Sequence, residues 1–198
     1  TRLPTLSLLP FGHITPLEVD DLPRLARESA LLTRLLSEAS THYALVLFDA
    51  PAGIGGMTRL ALESADHAVA VVQCEPLALR ALPQLLELLA LLRERGNACG
   101  LLGVAGNMTN FRDPVVLASM EEIWSFYRDE VFETTIPRDP AFLEASRAGV
   151  PLGLLSRRPP PVAVVFERLA AEIEARLDRA NGPLREGVDD DGPIRLVG

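Results

Sequence analysis

Residues 43–56 read YALVLFDAPAGIGG. Ala44–Phe48 is apolar at every position, the mark of a short strand buried on both faces rather than on one. It stops at Asp49, and Pro51 and Gly53 then turn the chain. The same punctuation recurs downstream. Ala68–Val72 (AVAVV) ends at Gln73, Gly100–Ala105 ends at Gly106-Asn107, and Val131–Ile136 ends at Pro137. A shorter apolar run, Leu6–Phe11, lies upstream.

Helical patterns separate these runs. Glu18–Ala39 carries a stripe at Leu22, Leu25, Ser29, Leu32 and Leu36, and Leu79–Leu92 is Leu-rich and ended by Gly96. Pro114–Tyr127 and Pro140–Ala148 open with proline, and Pro161–Arg179 sets Val162, Phe166, Leu169, Ile173 and Leu177 on one face. Fully apolar strands alternating with helices predict an α/β domain: a doubly wound, mostly parallel sheet flanked by helices. The domain is expected over residues 1–180, followed by a loose acidic tail over 181–198, rich in Gly, Asp and Pro. No internal repeat is present.

The 198 residues, 48% hydrophobic and 5% aromatic, suffice for one core. No apolar run reaches the roughly 18 residues of a membrane span. A formal net charge of −8 argues against broad nucleic-acid binding and leaves room only for a local patch, such as Arg147, Arg157 and Arg158. Cys74 and Cys99 lack CxxC spacing and read as small buried residues; His13, His42 and His67 form no ligand pattern. All 19 basic residues are Arg, so chemistry that needs a lysine is excluded within this chain. The opening at Thr1 reads as the inside of a domain, so the chain is expected to be part of a longer protein.

In a doubly wound sheet, ligands bind beyond the carboxyl ends of the strands. The residues there are Asp49-Ala50-Pro51-Ala52-Gly53, Gln73-Cys74-Glu75-Pro76, Gly106-Asn107-Met108-Thr109-Asn110 and Pro137-Arg138-Asp139. They are expected to cluster on one edge. Asp49 reads either as a hydrogen-bonded strand end or as a carboxylate near Mg²⁺, with the Gly53 backbone facing a phosphate. Asn107 reads as a turn residue or as an amide pairing with an adenine edge. Arg138 and Asp139 read as a solvated pair or, with Pro137, as a wall for a base and ribose.

YALVLFDAPAGIGG, ALESADHAVAVVQCEPLALRAL and VFETTIPRDPAFLEASRAGVPL, taken in order, resemble the switch II and later segments of ParA/MinD ATPases. Ile136-Pro137-Arg138-Asp139 also resembles the base-binding loop of the related nitrogenase iron protein. The resemblance covers about residues 3 to 178 and implies a P-loop NTPase-like domain, incomplete at its N-terminus. It assigns Asp49 to Mg²⁺ and water positioning, Gly53 to the γ-phosphate, Asn107 to adenine, Pro137, Arg138 and Asp139 to base and ribose, and Glu144 to the acidic position just after that loop. The family's two P-loop lysines would lie upstream of Thr1, so this chain alone is expected not to hydrolyse ATP. Gly53–Thr58 only echoes a glycine-rich phosphate loop: it has no Lys and overlaps switch II.

The resemblance further implies Mg²⁺-ATP, a homodimer across the nucleotide, and a cytoplasmic protein that is peripheral at the inner membrane or the cell pole. LLPFGHIT, NFRDPVVLASMEEIWSFY and the RDPAFLEA segment are similar to the accessory ATPase of bacterial cellulose synthesis (BcsQ/YhjQ), which implies a cellulose-synthase complex as partner. Val72–Pro76 (VQCEP) looks more like the partition proteins, which implies a partition or cargo protein and a DNA surface. A membrane surface, as used by MinD, fits less well, because the tail is acidic. A non-catalytic regulator retaining the fold is the remaining alternative.

Overall fold

A computed structural model describes residues 6–10, 15, 21–26 and 30–181. Two strands pair in parallel at its centre, β1 (His67–Gln73) and β2 (Gly100–Asn107). Five-residue apolar runs form these strands, and each ends where a polar residue meets a turn. The register runs from His67 opposite Gly100 to Gln73 opposite Asn107 and skips Leu102, a bulge that shifts the later pairs by one.

In this register Ala70 stands opposite Val104 and Val69 opposite Gly103, so the two pairs point to opposite faces. The Ala70 and Val104 face is closed by three helices: α3 (Pro76–Leu79), α4 (Ala81–Glu94) and α5 (Pro114–Phe126). Ala70, Val72, Cys74, Leu82, Val104, Val116, Met120, Ile123 and Val131 form one buried cluster. A second cluster, Leu62, Ala68, Leu89, Leu92 and Cys99, adds α2 (Gly56–Ser64), which precedes β1. On the Gly103 face lies α7 (Val164–Asn181), reached after α6 (Pro140–Ala148) and two 3-10 turns. A Cβ on Gly103 would stand 2.6 Å from the Phe132 ring and 2.7 Å from the Arg176 guanidinium. Helices therefore flank the sheet, but β1 is not buried on both faces as its apolar run predicts: Val69 and Val71 are 37% and 63% exposed, because α7 covers β2 and not β1 on that side.

Local chemistry sets the helix ends. Asp113 accepts from Val115 N at 2.9 Å with Pro114 following it, and Asp139 accepts from Ala141 N at 2.8 Å ahead of Pro140. Gly149, at φ 63, closes α6 in the left-handed region.

Four expectations need correction. Ala44–Phe48 forms no strand, and Leu45, Leu47 and Phe48 are 48%, 80% and 37% exposed. Its apolar pattern encodes burial between neighbours, and among the described residues no strand pairs with it. Val131–Ile136 is not a regular strand either. It touches β2 through the isolated bridges Val104–Val131 and Thr109–Pro137, because the Glu133 and Thr134 amides turn to Glu172 on α7 instead. The Glu18–Ala39 helix is two pieces, residues 21–26 and α1 (Leu31–Ala39), with Ala30 at φ 50 before the second. No residue of α1 is buried. Leu6–Pro10 is likewise not a strand, whereas Phe11 and the 182–198 part of the expected tail lie outside the described residues.

Gly103→Ala is expected to destabilise the chain by about 1–3 kcal/mol, because Phe132 is fully buried and cannot retreat. Urea unfolding of the purified variant checks this.

Candidate functional site

β1 and β2 end side by side at Gln73 and Asn107, and the Cys74 amide donates to the Asn107 carbonyl at 3.3 Å. Two polar loops therefore leave the sheet at the same edge. Met108 adopts φ 54, and its amide donates to Asn107 Oδ1 at 2.8 Å. That bond uses the oxygen of the Asn107 amide and leaves its two N–H donors without a partner among the described residues.

Thr109, 1% exposed, ties this loop to the next segment. Its amide donates to the Ile136 carbonyl at 3.0 Å, its hydroxyl approaches the same oxygen at 3.3 Å, and its own carbonyl accepts from Arg138 N at 2.9 Å. Pro137 is thereby bridged to Thr109. Beneath them the chains pack closely: a Cβ on Gly106 would stand 3.2 Å from both Cys74 Sγ and Thr135 Cγ2.

Glu75 joins the first loop to the third. Its Oε1 accepts from Gln73 Nε2 at 2.6 Å and from Arg138 Nη2 at 3.1 Å. The Glu75 and Arg138 side chains are about half exposed, so the pair adds no more than about 1 kcal/mol to stability. It holds the guanidinium over the edge where the β-strands end.

The structure thus brings Asn107, Pro137 and Arg138 together, with Gln73, Glu75 and Thr109 around them. Gln73, Glu75 and Thr109 stand among the strand-end residues in the sequence, but no sequence signal assigned them a role. Their importance depends on which loops meet. Asp139 begins at the same rim yet spends one carboxylate oxygen on capping α6. Glu144 is exposed on that helix. Asp49 and Gly53 lie on a separate loop: Asp49 is exposed, Gly53 sits at φ 90, and Pro51 accepts from Thr58 Oγ1 at 3.0 Å. Among the described residues no hydrogen bond or ion pair joins the Asp49–Gly55 loop to the Asn107 and Arg138 rim.

The donor set at the rim, amide N–H groups and a guanidinium beside a carboxylate, fits the mixed donors and acceptors of a purine nucleoside. No cluster of three or more His, Cys, Asp or Glu able to hold a metal occurs among the described residues. A lone exposed carboxylate such as Asp49 fits a Mg²⁺ whose other ligands are phosphate oxygens and water.

The sequence model of the cellulose biosynthesis protein BcsQ family matches residues 1–165. The Bacillus subtilis sporulation initiation inhibitor protein Soj is 31% identical over 177 residues, covering 88% of this chain and 69% of that protein. The chain belongs to the BcsQ family of ParA/MinD-type P-loop ATPases. The chromosome-partitioning ATPase Soj of Thermus thermophilus is 33% identical over 141 residues, covering 70% of this chain and 55% of that relative. The chain spans 57% of the Treponema pallidum Soj and 54% of the Myxococcus xanthus ParA, little more than half of each.

Among solved structures, the cell division ATPase MinD of Pyrococcus furiosus superposes with a TM-score of 0.56 at 23% identity, over 73% of this chain and 57% of that one. The likeness shows the shared fold. The cobyrinic acid a,c-diamide synthase of Mycobacterium smegmatis, solved with bound ADP and magnesium, gives 0.50 at 25% identity, over 63% of this chain and 56% of that one.

Both family-fold cysteines are free, each 1% exposed. Burial raises the Cys74 thiol pKa, opposed by its backbone hydrogen bond with Asn107. Burial, with the Asp66 charge, raises that of Cys99 against Arg93. A raised thiol pKa contributes stability that is intact below the unfolded thiol value and lost as pH rises past it. Chemical denaturation midpoints are expected to fall above about pH 8.5. Both thiols should react with a thiol reagent only after unfolding, and stoichiometric labelling of the native chain would contradict the burial.

Proposed function

We propose that this chain supplies the base-binding rim and the γ-phosphate-sensing loop of a Mg²⁺-ATP-dependent switch. The observation that carries the reading is the meeting of Asn107, Pro137 and Arg138 beyond the carboxyl ends of β1 and β2, tied by Thr109 and Glu75. In this reading the unbonded Asn107 N–H donors face the purine edge, and Pro137, Arg138 and Asp139 line base and ribose. Asp49 is the Mg²⁺- and water-facing carboxylate of switch II, with Gly53 close to the γ-phosphate and Glu144 just beyond the base loop. Bound Mg²⁺-ATP supplies the phosphoanhydride, and these residues orient it and exclude competing geometries.

Hydrolysis requires a lysine that this chain does not contain. The reading therefore places turnover in a longer form that supplies the lysine-bearing loop, working as a homodimer across two nucleotides. The match to the BcsQ model favours an accessory role in cellulose synthesis, with a cellulose-synthase complex as partner and a site at the cytoplasmic face of the membrane. The identity with Soj supports a second reading, a partition or cargo-positioning ATPase. Deleting the gene separates them: lost cellulose output with normal nucleoid segregation supports the first, and anucleate cells with normal cellulose support the second.

Three outcomes are expected in vitro. The chain alone turns over no ATP in a phosphate-release assay. Arg138→Ala weakens Mg²⁺-ADP binding by about tenfold in calorimetry, the worth of one charge-assisted hydrogen bond, while unfolding shifts by no more than about 1 kcal/mol. In the form that carries the lysine loop, Asp49→Ala lowers kcat by about a hundredfold or more and leaves the circular dichroism spectrum unchanged.

A further inference from the structure

The segment leading into the rim is held by α7 rather than by a strand ladder. Glu172 accepts two consecutive amides, Glu133 N at 2.7 Å and Thr134 N at 3.0 Å, one on each carboxylate oxygen. One turn later on α7, the Arg176 guanidinium donates to three carbonyls: Leu102 at 3.0 Å, Glu130 at 2.7 Å and Val131 at 2.7 Å. It also lies 4.2 Å over the Phe132 ring, and its Nη2 is 3.8 Å from Glu172. The two side chains are only 14% and 21% exposed, whereas Glu130 and Glu133 at the outer ends of the clamp are exposed.

Each contact answers a specific irregularity. Leu102 is the residue skipped in the β1–β2 register, so its carbonyl turns out of the regular ladder and takes its donor from Arg176. Residues 133 and 134 are those at which the 131–136 segment leaves β2, and Glu172 receives both amides there. Gly103 has no Cβ, which opens the space that Phe132 and Arg176 share. Beyond the clamp the chain rejoins β2 through Ile136 N to the Gly106 carbonyl at 2.8 Å, and two residues later it presents Arg138.

We propose that Glu172 and Arg176 are positioning residues for the nucleotide rim: they set where the 130–134 segment leaves β2, and so where Pro137 and Arg138 stand relative to Asn107. What the rim binds rests on the reading given under Proposed function; the clamp itself does not. A carboxylate that accepts two amides and a planar guanidinium that spans three carbonyls have no equivalent among shorter or single-donor side chains.

The test uses the complete chain, with Glu172→Gln, Glu172→Ala, Arg176→Lys and Arg176→Ala, and two measurements: amide hydrogen exchange by mass spectrometry and Mg²⁺-ADP binding by calorimetry. Exchange over 131–139 is expected to accelerate about tenfold or more in Glu172→Ala and Arg176→Ala, with β1 and α4 unchanged. Glu172→Gln, which keeps one acceptor oxygen, should fall between wild type and Glu172→Ala, and Arg176→Lys should not rescue. ADP affinity should drop about tenfold in the same order as the exchange. Unchanged protection at 131–139, or protection lost evenly across β1 and β2, overturns the proposal. So does local loss of protection with undiminished ADP affinity, while Arg138→Ala still weakens ADP; that result leaves the nucleotide reading standing. A wild-type chain that binds no ADP overturns the nucleotide reading and the link to it, and the exchange data then show separately whether the clamp holds the segment.

Discussion

Parallel pairing of β1 with β2 is the constraint on which the rest depends. Parallel strands end at the same edge, so their trailing loops must share a rim, and any chemistry those loops carry is brought together whatever their separation in sequence. Gln73 and Asn107 are 34 positions apart in the chain but opposite one another in the register. The third loop joins because Thr109 and Gly106 capture the 135–138 segment by backbone hydrogen bonds and Glu75 pairs with Arg138.

That capture shows how a sheet can position a loop without completing a strand. The 131–136 segment touches β2 at its two ends and is handed to α7 between them. Backbone amides that leave a ladder need another acceptor, and the Glu172 carboxylate supplies it for Glu133 and Thr134. The glutamate and arginine that serve here sit one helical turn apart on α7, so one face of one helix secures the departure of the chain from the sheet.

The exposed apolar segment 44–48 tells the converse story. Its composition specifies burial on two faces, yet among the described residues it has no paired neighbour and its leucines face outward. Hydrophobic pattern records the environment a segment is suited to, and backbone pairing must come from another strand. The same distinction explains why, among the described residues, no hydrogen bond or ion pair joins Asp49, legible as a strand-end acid, to the rim formed by β1 and β2.

By itself the sequence determined the two strands that pair, β1 and β2, and the helices that follow them, the prolines that open α5 and α6, the absence of any lysine and the candidate rim residues Asn107, Pro137 and Arg138. These are local properties, set by periodicity, capping and side-chain chemistry within a few residues. Only the tertiary structure decided that Glu75 would bridge Gln73 to Arg138, that Thr109 would be the buried fastening, and that Glu172 and Arg176 would hold the 130–134 segment. Those pairings join positions 2 to 74 apart, and nothing in the spacing of an exposed-looking Glu or Arg encodes which distant carbonyl or amide it will meet. The meeting is set by the register of two strands and the bulge at Leu102, which are products of packing rather than of local preference.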